Sequence, residues 1–303
     1  MIEDKISILI PSYNHERYIE QAVTSIWQQS HKNVELIVID DCSEDTSYSI
    51  LKSLQKKSPI EMQIEQNSKN QGINYTLKRA FSLANGQYIS ILASDDYVGG
   101  RRYESQLALF GSNPRLKVIY ANGIQVPTGN KHQKVHSINV NKLLNKSPRE
   151  ILNFLYTNVN SIFIQTMLVK KELLESFDFL DEKIIADDWL LNTRVFENIT
   201  SEKEFYYIDE PVFYYRMHSE NAHKDVERHV KLMNNYVVNV TPANLKNLAF
   251  GNIYYKIGLK LLENDSFSES YSYWKKSMGY GFRISKMKYL RRLLKKYFLR
   301  LIS

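Results

Sequence analysis

Three short apolar runs, each stopped by polar residues, constrain this chain more than any other feature. Ile6–Pro11 (ISILIP), Val34–Ile39 (VELIVI) and Tyr88–Leu92 (YISIL) have strand length, and each carries a single Ser or Glu. A strand buried on both faces reads as a continuous apolar run, whereas a strand with one wet face alternates. After the first run, Ile19, Ala22, Val23, Ile26 and Trp27 fall on one face of a helix. After the second, Thr46 or Ser47 can cap a helix through Leu54. Met62–Ile64 reads as a weaker strand, and Val118–Ala121 as a fifth. Asn70-Gln71-Gly72 opens a helix carrying Leu77, Ala80, Phe81 and Ala84, closed by Asn85-Gly86. Repeated strand–helix–strand units predict an α/β fold, a mostly parallel doubly wound sheet covered on both faces.

The later chain reads differently. Residues 125–170 show no clean period until Ile162–Val169 (IFIQTMLV), which predicts a strand. Asp187–Phe196 reads as a helix, and Phe205–Ile208 and Val212–Tyr215 as two short strands flanking Pro211. Asn244–Glu263 and Ser266–Met278 predict a helical hairpin joined at Asn264-Asp265. Two domains are expected: residues 1–225, and a C-terminal helical extension over 226–303.

Charge follows the same division. The chain has 40 Lys+Arg and 33 Asp+Glu, a net of +7. Residues 226–303 hold 15 basic and 4 acidic residues, leaving 25 and 29 in the first 225. The basicity therefore belongs to the C-terminal quarter, which argues against nucleic acid as a partner of the main body. One cysteine, Cys42, excludes an intramolecular disulfide framework and a four-Cys zinc site. The start, MIEDKISILIPSYN, lacks the basic n-region of a signal peptide, and no run reaches the roughly 18 apolar residues of a membrane span. These features predict a cytoplasmic protein.

In open α/β sheets, ligands bind beyond the carboxyl ends of the strands. Asp40-Asp41 and Asp95-Asp96 both stand there, after separate strands. Neighbours in extended chain point opposite ways, so each pair can offer one carboxylate to a ligand and one to the scaffold. Carboxylates converging on one crevice repel unless a cation or donors compensate. Hard cations such as Mg²⁺ or Mn²⁺ take one or two carboxylates plus substrate phosphates, which points to a metal–diphosphate ligand. Solvated turns and caps are the plainer use of such pairs. A third pair, Asp187-Asp188, begins a helix, where the dipole alone favours carboxylates. G-x-G-x-x-G, the P-loop, G-x-S-x-G, H-E-x-x-H and C-x-x-C are all absent.

Six segments in order carry a resemblance: Ser7–Asn14 (SILIPSYN), Val34–Thr46 (VELIVIDDCSEDT), Asn70-Gln71-Gly72, Ala84–Asp96 (ANGQYISILASDD), Ala186–Trp189 (ADDW) and Tyr214–Asn221 (YYRMHSEN). Together they resemble the inverting family-2 glycosyltransferases with a GT-A fold, of the bacterial surface-polysaccharide type. The resemblance implies that Pro11, Ser12 and Tyr13 line the nucleotide base pocket. It implies that Asp41 accepts from a uracil ring N–H and that Asp95 lies near the ribose and diphosphate. Asp96 and His218 would contact a Mn²⁺ or Mg²⁺ ion, and Asp188 would be the general base. Four departures from the pattern stand out: Cys42 stands for a glycine, Ala93 for an aspartate, Asp187 for a glutamate, and Leu77-Lys78-Arg79 for an Ala-Arg-Asn segment. The last bears on donor-sugar contacts.

The expected reaction moves a sugar of hexosyl or N-acetylhexosaminyl type from a nucleotide-sugar, with UDP-sugar favoured. The acceptor is a hydroxyl of a saccharide or a lipid-linked acceptor, reached by metal-assisted single displacement. In the tail, Met287, Leu290, Leu294, Phe298 and Leu301 share a helical face, with Lys288, Arg291, Arg292, Lys295 and Lys296 largely off it. A basic amphipathic helix over 283–302 can lie on an anionic membrane, here the inner face of the cell membrane. Packing of that helix on protein is the alternative. Two competing functions are a sugar-1-phosphate nucleotidyltransferase and a non-catalytic, transferase-like binding module. The first needs a glycine-rich loop after the first strand, where Pro11-Ser12-Tyr13-Asn14 stands instead.

Overall fold

The computed structural model describes residues 4–126, 133–158, 162–178, 187–218, 226–281 and 289, and the side chains of Asp187 and Arg228 lie outside that set. Ala186, Ser219–Asn221 and, apart from position 289, the basic segment 283–302 also lie outside the described residues. Two compact units divide the chain: Met1–Leu152 with Ser161–Asn221, and Asn153–Asn160 with Ala222–Ser303.

The first unit begins β1 (Ile6–Ser12), α1 (Ile19–Trp27), β2 (Val34–Asp40), α2 (Ser47–Gln55), β3 (Glu61–Gln66), α3 (Ile73–Leu83) and β4 (Tyr88–Ile91). It continues β5 (Tyr97–Val98), α4 (Arg102–Ser112), β6 (Val118–Val126), β7 (Gln133–Lys134) and α5 (Ile138–Leu144). After α6 (Pro148–Thr157), whose residues from Asn153 on belong to the second unit, come β8 (Leu168–Lys170), α7 (Lys171–Glu175), α8 (Asp187–Glu197) and β9 (Phe205–Arg216). Among the described residues nine strands form one sheet in the order β3-β2-β1-β4-β8-β6-β9-β5, with β7 on β6. The long ladders β3–β2–β1–β4 and β6–β9 are parallel. The antiparallel pairings of β8, β5 and β7 span no more than three residue pairs each. Because β8 runs backwards between β4 and β6, the strands β1, β2, β4, β6 and β9 all end on one edge.

The apolar runs explain the core. Ile6, Ile8 and Ile10 of β1 and Leu36 and Val38 of β2 pack with Ile19, Ala22, Val23 and Ile26 of α1. Each fully buried Ile, Leu or Val among them contributes about 1.5–3 kcal/mol. Near the opposite edge, the backbone of Gly86 presses on β1: a Cβ there would lie 2.5 Å from Ser7 N and 2.8 Å from Lys5 O. Its N–H donates to Ser7 Oγ at 2.8 Å and to the buried Glu35 carboxylate at 3.1 Å. Lys5 pairs with Glu35 at 2.7 Å.

Two expectations fail. Ile162–Val169 is not one strand: a 3₁₀ turn, Ile164–Thr166, precedes β8. Buried Arg102 and Gln106 of α4 donate to the carbonyls of Met167 (3.0 Å) and Thr166 (3.1 Å), which turns those groups away from a ladder. Phe205–Ile208 and Val212–Tyr215 are not two strands but the single β9. Its ladder on β6 shifts register around Pro211, so that Tyr120 faces Tyr207, Asn122 faces Pro211 and Gly123 faces Phe213. Such a bulge admits a proline without breaking the strand.

The second unit contains α9 (Val226–Asn239), α10 (Lys246–Glu263) and α11 (Phe267–Gly279). The turn between α10 and α11 places Asp265 at φ +62°. Ser270 and Ser277 donate to the carbonyls of Gly258 and Gly251, each at 2.7 Å, which ties the two helices at points seven residues apart. No helix of the described residues is long and apolar enough to cross a membrane.

Candidate active site

The site is built from loops that leave the common strand edge. β1 ends with Pro11 beside Ile39 and Ser12 beside Asp40. Ser12 is buried, its Oγ has no partner among the described residues, and Tyr13 projects at 39% exposure. Asp40 holds the following turn: its carboxylate accepts from Ser43 N (2.9 Å), Ser43 Oγ (2.6 Å) and Gln66 Nε2 (3.0 Å). Cys42 in that turn has φ +63°, which explains why a glycine suits the position. Asp41 faces the other way. It accepts from Asn67 Nδ2 (2.7 Å), Gln71 N (2.8 Å) and Gly72 N (2.8 Å). Gly72 precedes α3 at φ +86°, a conformation that brings its N–H to the carboxylate at little steric cost. An ionised carboxylate offers about four acceptor positions, so Asp41 keeps capacity beyond these three.

The second cluster joins the loop after β4 to the end of β9. Asp95 Oδ2 lies 2.9 Å from His218 Nε2, and both side chains are largely buried. Asp96 is fully buried: Oδ1 accepts the Arg216 backbone N–H at 2.8 Å, and Oδ2 has no partner among the described residues. Burial, then the neighbouring Asp95 charge, pushes the Asp96 carboxyl well above its ordinary range, with Asp188 adding to the effect and Arg216 opposing it. Asp188, in the first turn of α8, thus acts on the same cluster. Asp188 also helps to keep the Tyr120 and Tyr215 phenols protonated, after burial in both cases and, for Tyr215, after Asp96 and Asp95. The structure therefore brings Asp95, Asp96, Asp188 and His218 together. It pairs His218 with Asp95, not with Asp96. Among the described residues no three His, Cys, Asp or Glu side chains form a ready-made metal cluster.

Residues that motif reading did not single out complete the site. Arg216 donates from Nη1 to the Asp95 carbonyl at 2.7 Å and bonds Gln21 through Nη2. Its guanidinium lies 5.2 Å from the Tyr18 ring centroid and 4.9 Å from that of Tyr97. Tyr18 stacks on His218 with centroids 4.9 Å apart. His15 Nδ1 meets Ser94 Oγ at 2.7 Å. Arg216 had a signal: it lies at the end of β9, two residues before His218 in the same YYRMHSEN segment. Asn67 had none, because its bond to Asp41 spans 26 residues.

A family model described as glycosyl transferase family 2 matches residues 7–177, more than half of the chain. The chain belongs to glycosyl transferase family 2. Asp188 and His218 lie beyond the matched stretch. The chain has a GT-A fold, shared with solved structures. Staphylococcus aureus TarS 1-349, solved with UDP-GlcNAc, superposes at TM-score 0.59 with 17% identity, over 90% of this chain and 81% of that one. The mannosyltransferase PcManGT from Pyrobaculum calidifontis, solved with GDP-Man and Mn²⁺, superposes at 0.60 with 15% identity, over 98% of this chain and 80% of that one. In sequence, a GalNAc(5)-diNAcBac-PP-undecaprenol beta-1,3-glucosyltransferase of Campylobacter jejuni is 27% identical over 203 residues, 67% of this chain and 62% of that protein. The chain spans 66%, 14% and 40% of the first three curated relatives it matches.

Proposed function

We propose that this family-2 member transfers a sugar from a nucleotide-sugar, UDP-sugar first, to a hydroxyl of a saccharide or lipid-linked acceptor in bacterial surface-polysaccharide synthesis. The observation that carries the reading is the convergence of Asp95, Asp96, Asp188 and His218 at the edge where β1 and β2 also end. The TarS complex with UDP-GlcNAc supports a UDP-linked donor, and the C. jejuni relative's name supports a lipid-linked acceptor. Residues 1–225 would carry donor and acceptor sites, and 226–303 the basic helical region. The basic segment 283–302 would contact anionic lipid.

Ser12 and Tyr13 would flank the base, Pro11 would shape that wall, and Asp41 would accept its ring N–H. The residues fit a divalent cation: Asp95 and His218 face each other, and Asp96 keeps one buried oxygen without a partner among the described residues. We assign the cation chiefly to Asp95 and His218, with Asp96 behind them, which exchanges the roles expected for the two aspartates. A bound Mn²⁺ or Mg²⁺ supplies Lewis-acid neutralisation of a diphosphate leaving group. Asp188 would take the acceptor hydroxyl proton as that oxygen attacks the anomeric carbon opposite the diphosphate, so one displacement inverts the centre. General base catalysis is typically worth about 10²–10⁴-fold.

The test is the melting temperature with UDP, GDP or dTDP, each with Mn²⁺ and with EDTA. Ligand at about 100 times its Kd stabilises by roughly 2.7 kcal/mol, a rise of about 5–10 °C for a unit of this size. A rise with UDP and Mn²⁺ that EDTA removes is expected. A rise with GDP or dTDP alone changes the donor, and no rise with any nucleotide overturns the reading in favour of a binding module.

A further inference from the structure

Asp188 stands in the first turn of α8, and Asn192 follows it four residues later, on the same helical face. Asn192 is fully buried. Its Oδ1 accepts the phenol proton of Tyr120 at 2.9 Å, and its Nδ2 donates to the Ile162 carbonyl at 2.8 Å. Tyr120 is itself fully buried on β6, its ring stacked on Phe196 of α8 with centroids 5.9 Å apart and planes 11° from parallel. One polar bond and one stacked pair thus pin a face of α8 to Tyr120 of β6, and a second bond ties it to the segment before β8. Each bond lies away from water, where an amide or phenol left alone is costly, so the arrangement resists sliding or rotation of the helix. A base displaced by about 1 Å can lose on the order of 10²-fold in rate.

We propose that the Tyr120–Asn192–Ile162 clamp holds Asp188 in register with the reacting hydroxyl, so that Tyr120 and Asn192 are positioning residues for proton transfer. The inference rests on the reading of Asp188 as the base. Both residues are fully buried, Asn192 one turn beyond Asp188 on α8 and Tyr120 opposite it on β6. The clamp acts on the geometry of proton removal and leaves the nucleotide site alone.

The experiment uses the full chain with Mn²⁺ and measures nucleotide release from UDP-GlcNAc, UDP-glucose and GDP-mannose. The variants are Tyr120→Phe, Asn192→Ala, Asp188→Asn and the Tyr120→Phe/Asp188→Asn pair. Tyr120→Phe keeps the ring stack and removes only the bond. It is expected to lower kcat about tenfold, with donor KM and UDP affinity unchanged. Asn192→Ala removes both bonds and should lose more than Tyr120→Phe, which removes one. A positioning residue acts only through Asp188, so the double variant should be no slower than Asp188→Asn alone. Losses that multiply in the double variant overturn the clamp while leaving the base assignment standing. An Asp188→Asn variant at wild-type rate overturns the base assignment, and the clamp with it. A readout independent of donor choice is amide hydrogen exchange along α8. Tyr120→Phe should speed exchange there about tenfold without changing β1 or β2. Unchanged exchange in α8 also overturns the proposal.

Discussion

His218 and Asp95, 123 residues apart in sequence, meet through Nε2 and Oδ2 at 2.9 Å. Arg216, two residues before His218, closes the same junction by bonding the Asp95 carbonyl at 2.7 Å and giving its backbone N–H to Asp96 at 2.8 Å. The end of β9 is therefore locked onto the loop after β4. Asp95→Ala and His218→Ala are each expected to reduce Mn²⁺-dependent UDP affinity by at least about tenfold, since one ligand lost typically costs that or more. Isothermal calorimetry with and without Mn²⁺ checks this. If Asp96→Ala weakens Mn²⁺-dependent binding more than Asp95→Ala does, the assignment of the cation chiefly to Asp95 is wrong.

Asp188→Asn should lower turnover by about 10²–10⁴-fold and leave UDP binding within a factor of about two, because the base acts only on the acceptor proton. The amide is nearly isosteric, so the melting temperature should hold. Near wild-type transfer by this variant would assign the proton to another group.

Gly86→Ala tests the close approach of the β4 entry to β1. The added methyl would stand 2.5 Å from Ser7 N and 2.8 Å from Lys5 O, both backbone atoms that cannot rotate away. Overpacking of this kind costs about 1–3 kcal/mol. Urea denaturation should show a lower midpoint with an unchanged slope. A midpoint equal to wild type would mean the strand yields.

His136 predicts a pH dependence of stability. Burial lowers its pKa from 6.5 to about 4, and its Nε2 accepts the Phe163 N–H at 3.0 Å, a role only the unprotonated ring fills. The unfolded chain therefore binds a proton between about pH 6.5 and 4 that the folded chain refuses. Stability from this group is fully present above the unfolded pKa and falls as pH drops toward 4, by up to about 3 kcal/mol. His136→Gln should flatten the melting temperature between pH 7 and 4.5 relative to wild type. An equal slope in both proteins would place the acid sensitivity elsewhere.

The legible part of this molecule is its local part. Continuous burial of Ile6, Ile8 and Ile10 or of Leu36 and Val38 needs a central strand wherever the chain runs. The apolar spacing Ile19–Ala22–Val23–Ile26 likewise needs a helix against it. Periodicity is set by backbone geometry, so those elements, and the aspartates that end them, follow from residue order alone. The charge division at about residue 225 and the hairpin after it are equally local. What residue order leaves open is which distant partner satisfies each buried polar group. Thr166 and Met167 leave strand geometry because Arg102 and Gln106 claim their carbonyls. Pro211 sits inside β9 because β6 shifts register beside it. Asp40 caps its own turn while Asp41 gathers the Asn67–Gly72 loop, although neighbouring residues differ by nothing but the side of the strand they face. The choice of Asp95 over Asp96 as the partner of His218 has the same origin. Either carboxylate meets the chemistry, but only the packed sheet edge sets which one lies within hydrogen-bond distance.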